Sequence, residues 1–270
     1  GMTSGSWAYN LVAGSVVDSP DTLAVRVLDD GNPRGAFTID DGVLVYTESG
    51  ALRFASAGKT LIGRGRDADY LPETMSYTLA TYSGDVKGVV GRDLLLDGGV
   101  VQSAEGDIDL DIGADLALKT PNNDTLGAIR TIGRFPATPE GWPAGYSLAW
   151  DNSGGGDISL EVGSSIVEGI PSRNEAWDTS YQVLEAGKFR QVWAANFNER
   201  HGATKGIATM AGGDITIRTA RSVIAPIGTF GKGDLTIYTG GDLDGRFLVS
   251  EGAGKLRTLG NFGMLKDFYT

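Results

Sequence analysis

Carboxylates recur along this chain at fixed places, and a recurring carboxylate serves either chemistry or architecture. Asp85, Asp107, Asp157, Asp214 and Asp234 each follow a glycine, and eight residues beyond each stands Asp93, Asp115, Ser165, Ser222 or Asp242. Calcium is the first chemistry to weigh, because tandem Gly/Asp-rich nonapeptides hold it with oxygens from successive turns. Here the eight-residue step occurs once per copy, and consecutive copies start 20 or more residues apart. Calcium also accepts Ser poorly in place of a carboxylate. A chain corner accepts either, since both side chains are short and take hydrogen bonds from backbone N–H groups. The five Asp are therefore read as structural corner residues, and no metal site or cofactor is assigned. Asp107, Asp109 and Asp111 make an acidic row. Alternate strand residues lie roughly 7 Å apart, too far for a compact two-carboxylate cage on one strand, so the row reads as a solvated face.

Other reactive types are sparse. His201 is the only histidine and has no Ser-His-Asp pattern or His-Glu-x-x-His motif around it. Glycan hydrolysis needs convergent carboxylates set for acid and for base or nucleophile work. The Gly-His-Gly and Arg-Ile-Lys segments of β-helical hydrolases are absent, the nearest phrase being Arg200-His201-Gly202. A lyase would need a base beside carboxylates, and Arg190, Arg200 and Lys205 are the candidates. The recognition residues of choice are aromatic: Trp142, Trp150, Trp177 and Trp193, because tryptophan is favoured at interaction hot spots and on sugar rings. The competing reading turns the same indoles inward as glue for local excursions of the chain.

The elements that must position these groups are written in the repeat itself. Counting one, three, five and nine residues from each Asp gives Val86, Gly88, Val90, Leu94; Ile108, Leu110, Ile112, Leu116; Ile158, Leu160, Val162, Ile166; Ile215, Ile217, Thr219, Val223; and Leu235, Ile237, Thr239, Leu243. All but Gly88, Thr219 and Thr239 are apolar, while the residues between them are mostly polar. Such alternation predicts a strand with one face buried. Gly91, Gly113, Gly163, Ala220 and Gly240 follow each strand, where glycine would supply backbone angles that other residues resist. Strand, corner, strand, repeated at about 20 residues, predicts an all-β parallel β-helix in which coils bury one another's apolar faces. A sandwich or propeller would need hairpin turns in a regular place, and the Asp-Gly pairs at 30, 41, 97 and 244 hold no fixed position.

Three regions depart from the rhythm. Residues 7–82 carry apolar runs (Leu23–Leu28, Val43–Tyr46, Leu52–Ala55) expected as strands of less regular coils. Residues 119–151 hold four prolines with Trp142 and Trp150, and residues 170–205 hold Trp177, Trp193 and a helix-spaced stretch at about 181–196. Both are expected as aromatic-rich insertions, the second with a short helix, on a single β-helical segment spanning 1–270. The net charge of −11 disfavours nucleic acid and anionic membranes. No apolar run is long enough to span a bilayer. Cysteine is absent. Gly1-Met2 reads as an expression scar, and the lack of capping features leads us to expect a segment of a longer chain.

Several longer phrases resemble the filamentous haemagglutinin-like proteins of Gram-negative bacteria. They are Ser6-Trp7-Ala8-Tyr9-Asn10-Leu11-Val12-Ala13-Gly14, Gly106 to Leu118, Trp193 to Ile215, and Gly245-Arg246-Phe247-Leu248-Val249-Ser250 continuing to Gly260-Asn261-Phe262-Gly263. The resemblance implies a right-handed β-helical stalk of a large exoprotein, secreted or held on the cell surface. It also implies an outer-membrane secretion partner for the parent chain. The expected function is attachment without catalysis, to a glycan or protein on a host or neighbouring cell. A polysaccharide lyase or hydrolase and a purely structural spacer are the alternatives.

Overall fold

The computed structural model describes residues 7–26, 34–67, 76–118, 127–133, 154–167 and 206–264. Among them every regular element is a strand. The first five coils lay down strands on three faces in turn, and each of these pairs in parallel with its counterpart in the next coil; a short antiparallel pair, Arg66–Asp67 with Ser76–Tyr77, stands apart in coil 2. The architecture is a parallel β-helix.

The first face stacks Tyr9–Ala13, Leu52–Ser56, Val86–Val90, Ile108–Ile112, Ile158–Val162, Ile215–Thr219, Leu235–Thr239 and Gly254–Thr258 in unbroken register. The second begins with Phe37–Ile39, Thr60–Gly63, Leu94–Asp97, Leu116–Ala117 and Ile166–Val167. The third begins with Val45–Thr47, Leu79–Thr81, Val100–Ser103, Ala128–Thr131 and Gly206–Thr209. In coils 6 and 7 the long strands Val223–Lys232 and Leu243–Glu251 run through both faces without a break and join them into one curled sheet. Phe262–Met264 continues the second face in coil 8.

The repeat dictates the interior. Every residue one, three, five and nine places after the repeated Asp is buried, the two threonines included. They form one core with inward residues of the third face, such as Leu79, Val101, Ile129, Ile207 and Ile227. Gly88, the one gap in the apolar pattern, is space for a neighbour. A Cβ there would lie 2.4 Å from the Phe54 ring and 2.7 Å from Leu110. The ring of coil 2 thus fills the side-chain place that coil 3 leaves empty, and it stacks on Phe37 at 6.4 Å.

Two further copies of the repeat open at Gly50-Ala51 and Gly252-Ala253, where alanine stands in the Asp place. The apolar runs at 45–47 and 52–56 are strands. Leu23–Leu28 is not. Leu23–Arg26 forms a turn and a single antiparallel bridge between Ser15 and Val25, within the long connection from first to second face in coil 1. Residues 119–151 include a strand, Ala128–Thr131, which supplies the third face of coil 4. Residues 119–126 and 134–151, on either side of that strand, lie outside the described residues. Residues 168–205 lie between the second-face strand ending at Val167 and the third-face strand starting at Gly206, and the helix expected at about 181–196 is outside the described residues.

Replacing Gly88 with Ala should cost about 1–3 kcal/mol through overpacking against Phe54, and Phe54→Ala about 3–5 kcal/mol through a cavity. The double variant should lose at least about 1 kcal/mol less than the sum, because one change makes room for the other. Urea unfolding of the four proteins measures this, and strict additivity would contradict the packing account.

Candidate functional site

The repeated carboxylates form a column at the corner that opens each first-face strand. The Oδ1 of Asp85 accepts from the backbone N–H of Asp107 at 3.1 Å, Asp107 from that of Asp157 at 2.8 Å, and Asp157 from that of Asp214 at 2.7 Å. Asp214 and Asp234 continue the chain to the N–H groups of Asp234 and Ala253, both at 2.8 Å. A second column at the next corner does the same through Asp93, Asp115, Ser222 and Asp242, the last serving Asn261 at 2.7 Å. Each side chain satisfies an N–H that the strand ladder leaves over. Among the described residues no group of three potential ligands gathers where a metal ion would sit.

A third column is internal. Thr47, Ser103, Thr131, Thr209 and Thr229, toward the end of each third-face strand, are buried and donate to backbone carbonyls at the stacked corners over 2.8–3.2 Å: Thr131, Thr209 and Thr229 to the corner that follows, Thr47 and Ser103 back to Trp7 and Gly84 at an earlier one. Thr81 makes the same bond to Gly84. The corner glycines owe their identity to close approach. A Cβ on Gly106, Gly156 or Gly233 would stand 2.1–2.2 Å from the glycine carbonyl oxygen of the preceding coil, and one on Gly163 or Gly240 2.2–2.3 Å from that of Gly113 or Ala220. None of these five has a left-handed backbone, so the expected conformational reason gives way to a steric one.

The outer surface of the first face carries the most varied chemistry. Four places after each corner residue, one column reads Val89, Asp111, Glu161, Arg218, Tyr238 and Arg257, each beside the next in register. The Nη1 of Arg218 donates to Glu161 Oε1 at 2.7 Å. Guanidinium groups lie on both sides of Tyr238, Arg218 at 5.8 Å and Arg257 at 5.7 Å from the ring centre. Asp109, of the predicted acidic row, pairs with Lys87 at 3.5 Å. A shallow depression of about 690 Å³ runs along this column and extends to Leu259. Acidic oxygens at one end and guanidinium groups flanking an aromatic ring at the other suit a hydroxyl-rich or charged polymer laid along the stack. Asp111 and Glu161 are adjacent carboxylates, with Glu161 committed to Arg218.

Trp142, Trp150, Trp177 and Trp193 lie outside the described residues, as do His201, Arg190, Arg200 and Lys205. Trp7, not singled out from the sequence, is 82 % exposed at the first strand of the first face. The outer column was readable by aligning position four of every copy; the hydroxyl column announces itself as a Ser or Thr three or four residues before most of the corner glycines. Comparison with protein families, with curated proteins and with solved structures found no match.

Two outcomes follow for mutagenesis. Asp157→Ala should destabilise by about 1 kcal/mol, whereas Asp157→Asn, which keeps an acceptor oxygen and removes a like charge from the column, should cost clearly less. A large melting-temperature loss that appears only when calcium is present would instead make the column a metal site. Arg218→Ala on the exposed column should cost less than about 1 kcal/mol, against about 2–5 kcal/mol for its inward neighbour Ile217→Ala. Equal losses in denaturation midpoint would place the outer column in the stabilising framework.

Proposed function

We propose that this chain is an attachment segment: a β-helical stalk of the filamentous haemagglutinin type, acting at the cell exterior without catalysis. The observation that carries the reading is the division of labour between inside and outside. Core, corner and hydroxyl columns repeat with little variation, while the outer first face changes from coil to coil through acid, base and aromatic. A rod built this way stays stiff while its surface diversifies, which is what presentation of contacts at a distance from a cell requires. Contacts repeated along a long stalk gain avidity without any one being strong. The phrases that resemble the haemagglutinin-like proteins would support export through an outer-membrane partner, and the acidic net charge supports a partner other than nucleic acid.

The adjacent carboxylates Asp111 and Glu161 beside Arg218 favour a second reading, a polysaccharide-active enzyme on the same fold. Incubation of the chain with acidic and neutral polysaccharides, followed by sizing of polymer and protein, separates the two. The attachment reading predicts intact polymer that co-elutes with the protein, with retention reduced several-fold in Tyr238→Ala and Arg257→Ala. Shortened polymer would replace it with the enzyme. Intact polymer without co-elution would point to a protein ligand or to a bare spacer.

A further inference from the structure

The third face differs from the first in its outward residues. Along the first face these are largely exposed or half-buried, but on the third face Ala80, Gln102, Arg130, Ala208 and Gly228 form an outward column that is buried through five coils. Ala80, Val100 and Ala128 make a small apolar cluster separate from the core. Into this setting the sequence places a guanidinium. Arg130 is fully buried, and its Nε donates to Gln102 Oε1 at 2.7 Å. Both terminal nitrogens, Nη1 and Nη2, are buried and have no hydrogen-bond partner.

An arrangement of this kind is costly unless something answers it. Burial pushes the guanidinium down to about 10, which still leaves it protonated at neutral pH. A buried charge needs an opposite charge and acceptors for its donors. Gln102 is neutral and takes only the Nε hydrogen, so it fixes the plane of the group and leaves the two terminal nitrogens as a buried, unpaired fork. The neighbours of Arg130 along the column include Ala208 and Gly228, which keep the surroundings small. A planar fork of two parallel N–H groups matches the two oxygens of a carboxylate. In apolar surroundings a singly charged carboxylate costs less to desolvate than a doubly charged phosphate.

We propose that Arg130, oriented by Gln102, is a carboxylate-binding site on the outer side of the third face. The same chemistry has two sources: a carboxylate of an added ligand, such as an acidic sugar, or an acid group of the protein itself. The proposal is independent of the attachment reading, because it concerns a different face and a different readout.

Thermal unfolding of the full chain in D-glucuronate, with glucose and phosphate as controls at constant ionic strength, tests it beside Arg130→Met and Arg130→Lys. If the carboxylate comes from a ligand, glucuronate raises the wild-type melting temperature saturably, by about 5 °C at a hundred-fold excess over Kd. Glucose leaves it unchanged, Arg130→Met abolishes the rise, and Arg130→Lys, which keeps the charge but not the fork, weakens it. If the carboxylate is the protein's own, added glucuronate does nothing and Arg130→Met melts several degrees lower at pH 7. That gap then closes as pH falls through the folded-state pKa of the paired acid, because the pairing depresses that pKa and its contribution vanishes on protonation. Should Arg130→Met fail to fold, Arg130→Lys carries the same comparison. The proposal is overturned if the variants are as stable as wild type at neutral pH with no response to glucuronate, if the gap at pH 7 persists unchanged in acid, or if phosphate stabilises as well as glucuronate.

Discussion

Everything in this fold follows from the spacing of coils. Parallel strands of neighbouring coils must sit about 4.8 Å apart to share a hydrogen-bond ladder, and the corners must then stack at that same distance. At that separation the corner carbonyl of one coil occupies the place where the next coil would put a Cβ. Glycine at Gly106, Gly156 and Gly233 is what lets corners follow strands into register. Once corners stack, their side chains stack too, and every other column in the structure is a consequence.

The polar columns solve the problem that a corner creates. A strand satisfies its N–H and C=O groups through the ladder, but a turn leaves some over, and a buried orphan costs more than a made bond returns. Asp157 reaching the N–H of Asp214 and Thr209 reaching the carbonyl of Gly213 are complementary answers, one for donors and one for acceptors. The donor side faces solvent, so carboxylates can stack there with water and salt screening their repulsion. The acceptor side is buried, so neutral hydroxyls serve it. Charge and burial thus sort Asp and Thr to opposite sides of the same corner.

The repeat made the fold legible because one physical unit was written many times. Where a copy departed from its pattern, legibility failed for a definable reason. Ala51 and Ala253 hid two coils, since the corner tolerates loss of one acceptor while the strand after it remains a strand. Leu23–Leu28 looked like a strand by composition, yet its described part takes only one bridge, because it lies in a long connection where no neighbouring coil offers an edge. Gly88 looked like a defect and is half of a packing pair with Phe54, a relation that spans coils and cannot be read within one copy. The corner glycines were assigned correctly for the wrong physical reason: the sequence shows that a side chain is missing, and only the stack shows what takes its place. Arg130 was invisible for a related cause. Ala128–Thr131 sits just ahead of a stretch rich in proline and aromatics, and nothing local says that its arginine stands in a third-face column.

The two outward surfaces also differ in what a change would cost, and that difference bears on function. On the first face the outward residues are held by exposed pairs such as Glu161–Arg218, each worth little, so side chains can be altered there while the coil stack stays intact. On the third face the outward residues of the middle coils are buried, and Arg130 is tied to Gln102. A β-helix whose two outward faces obey such different rules has one side free to diversify and one side constrained. On the constrained face a buried charge such as Arg130 cannot be exchanged as cheaply as an exposed one.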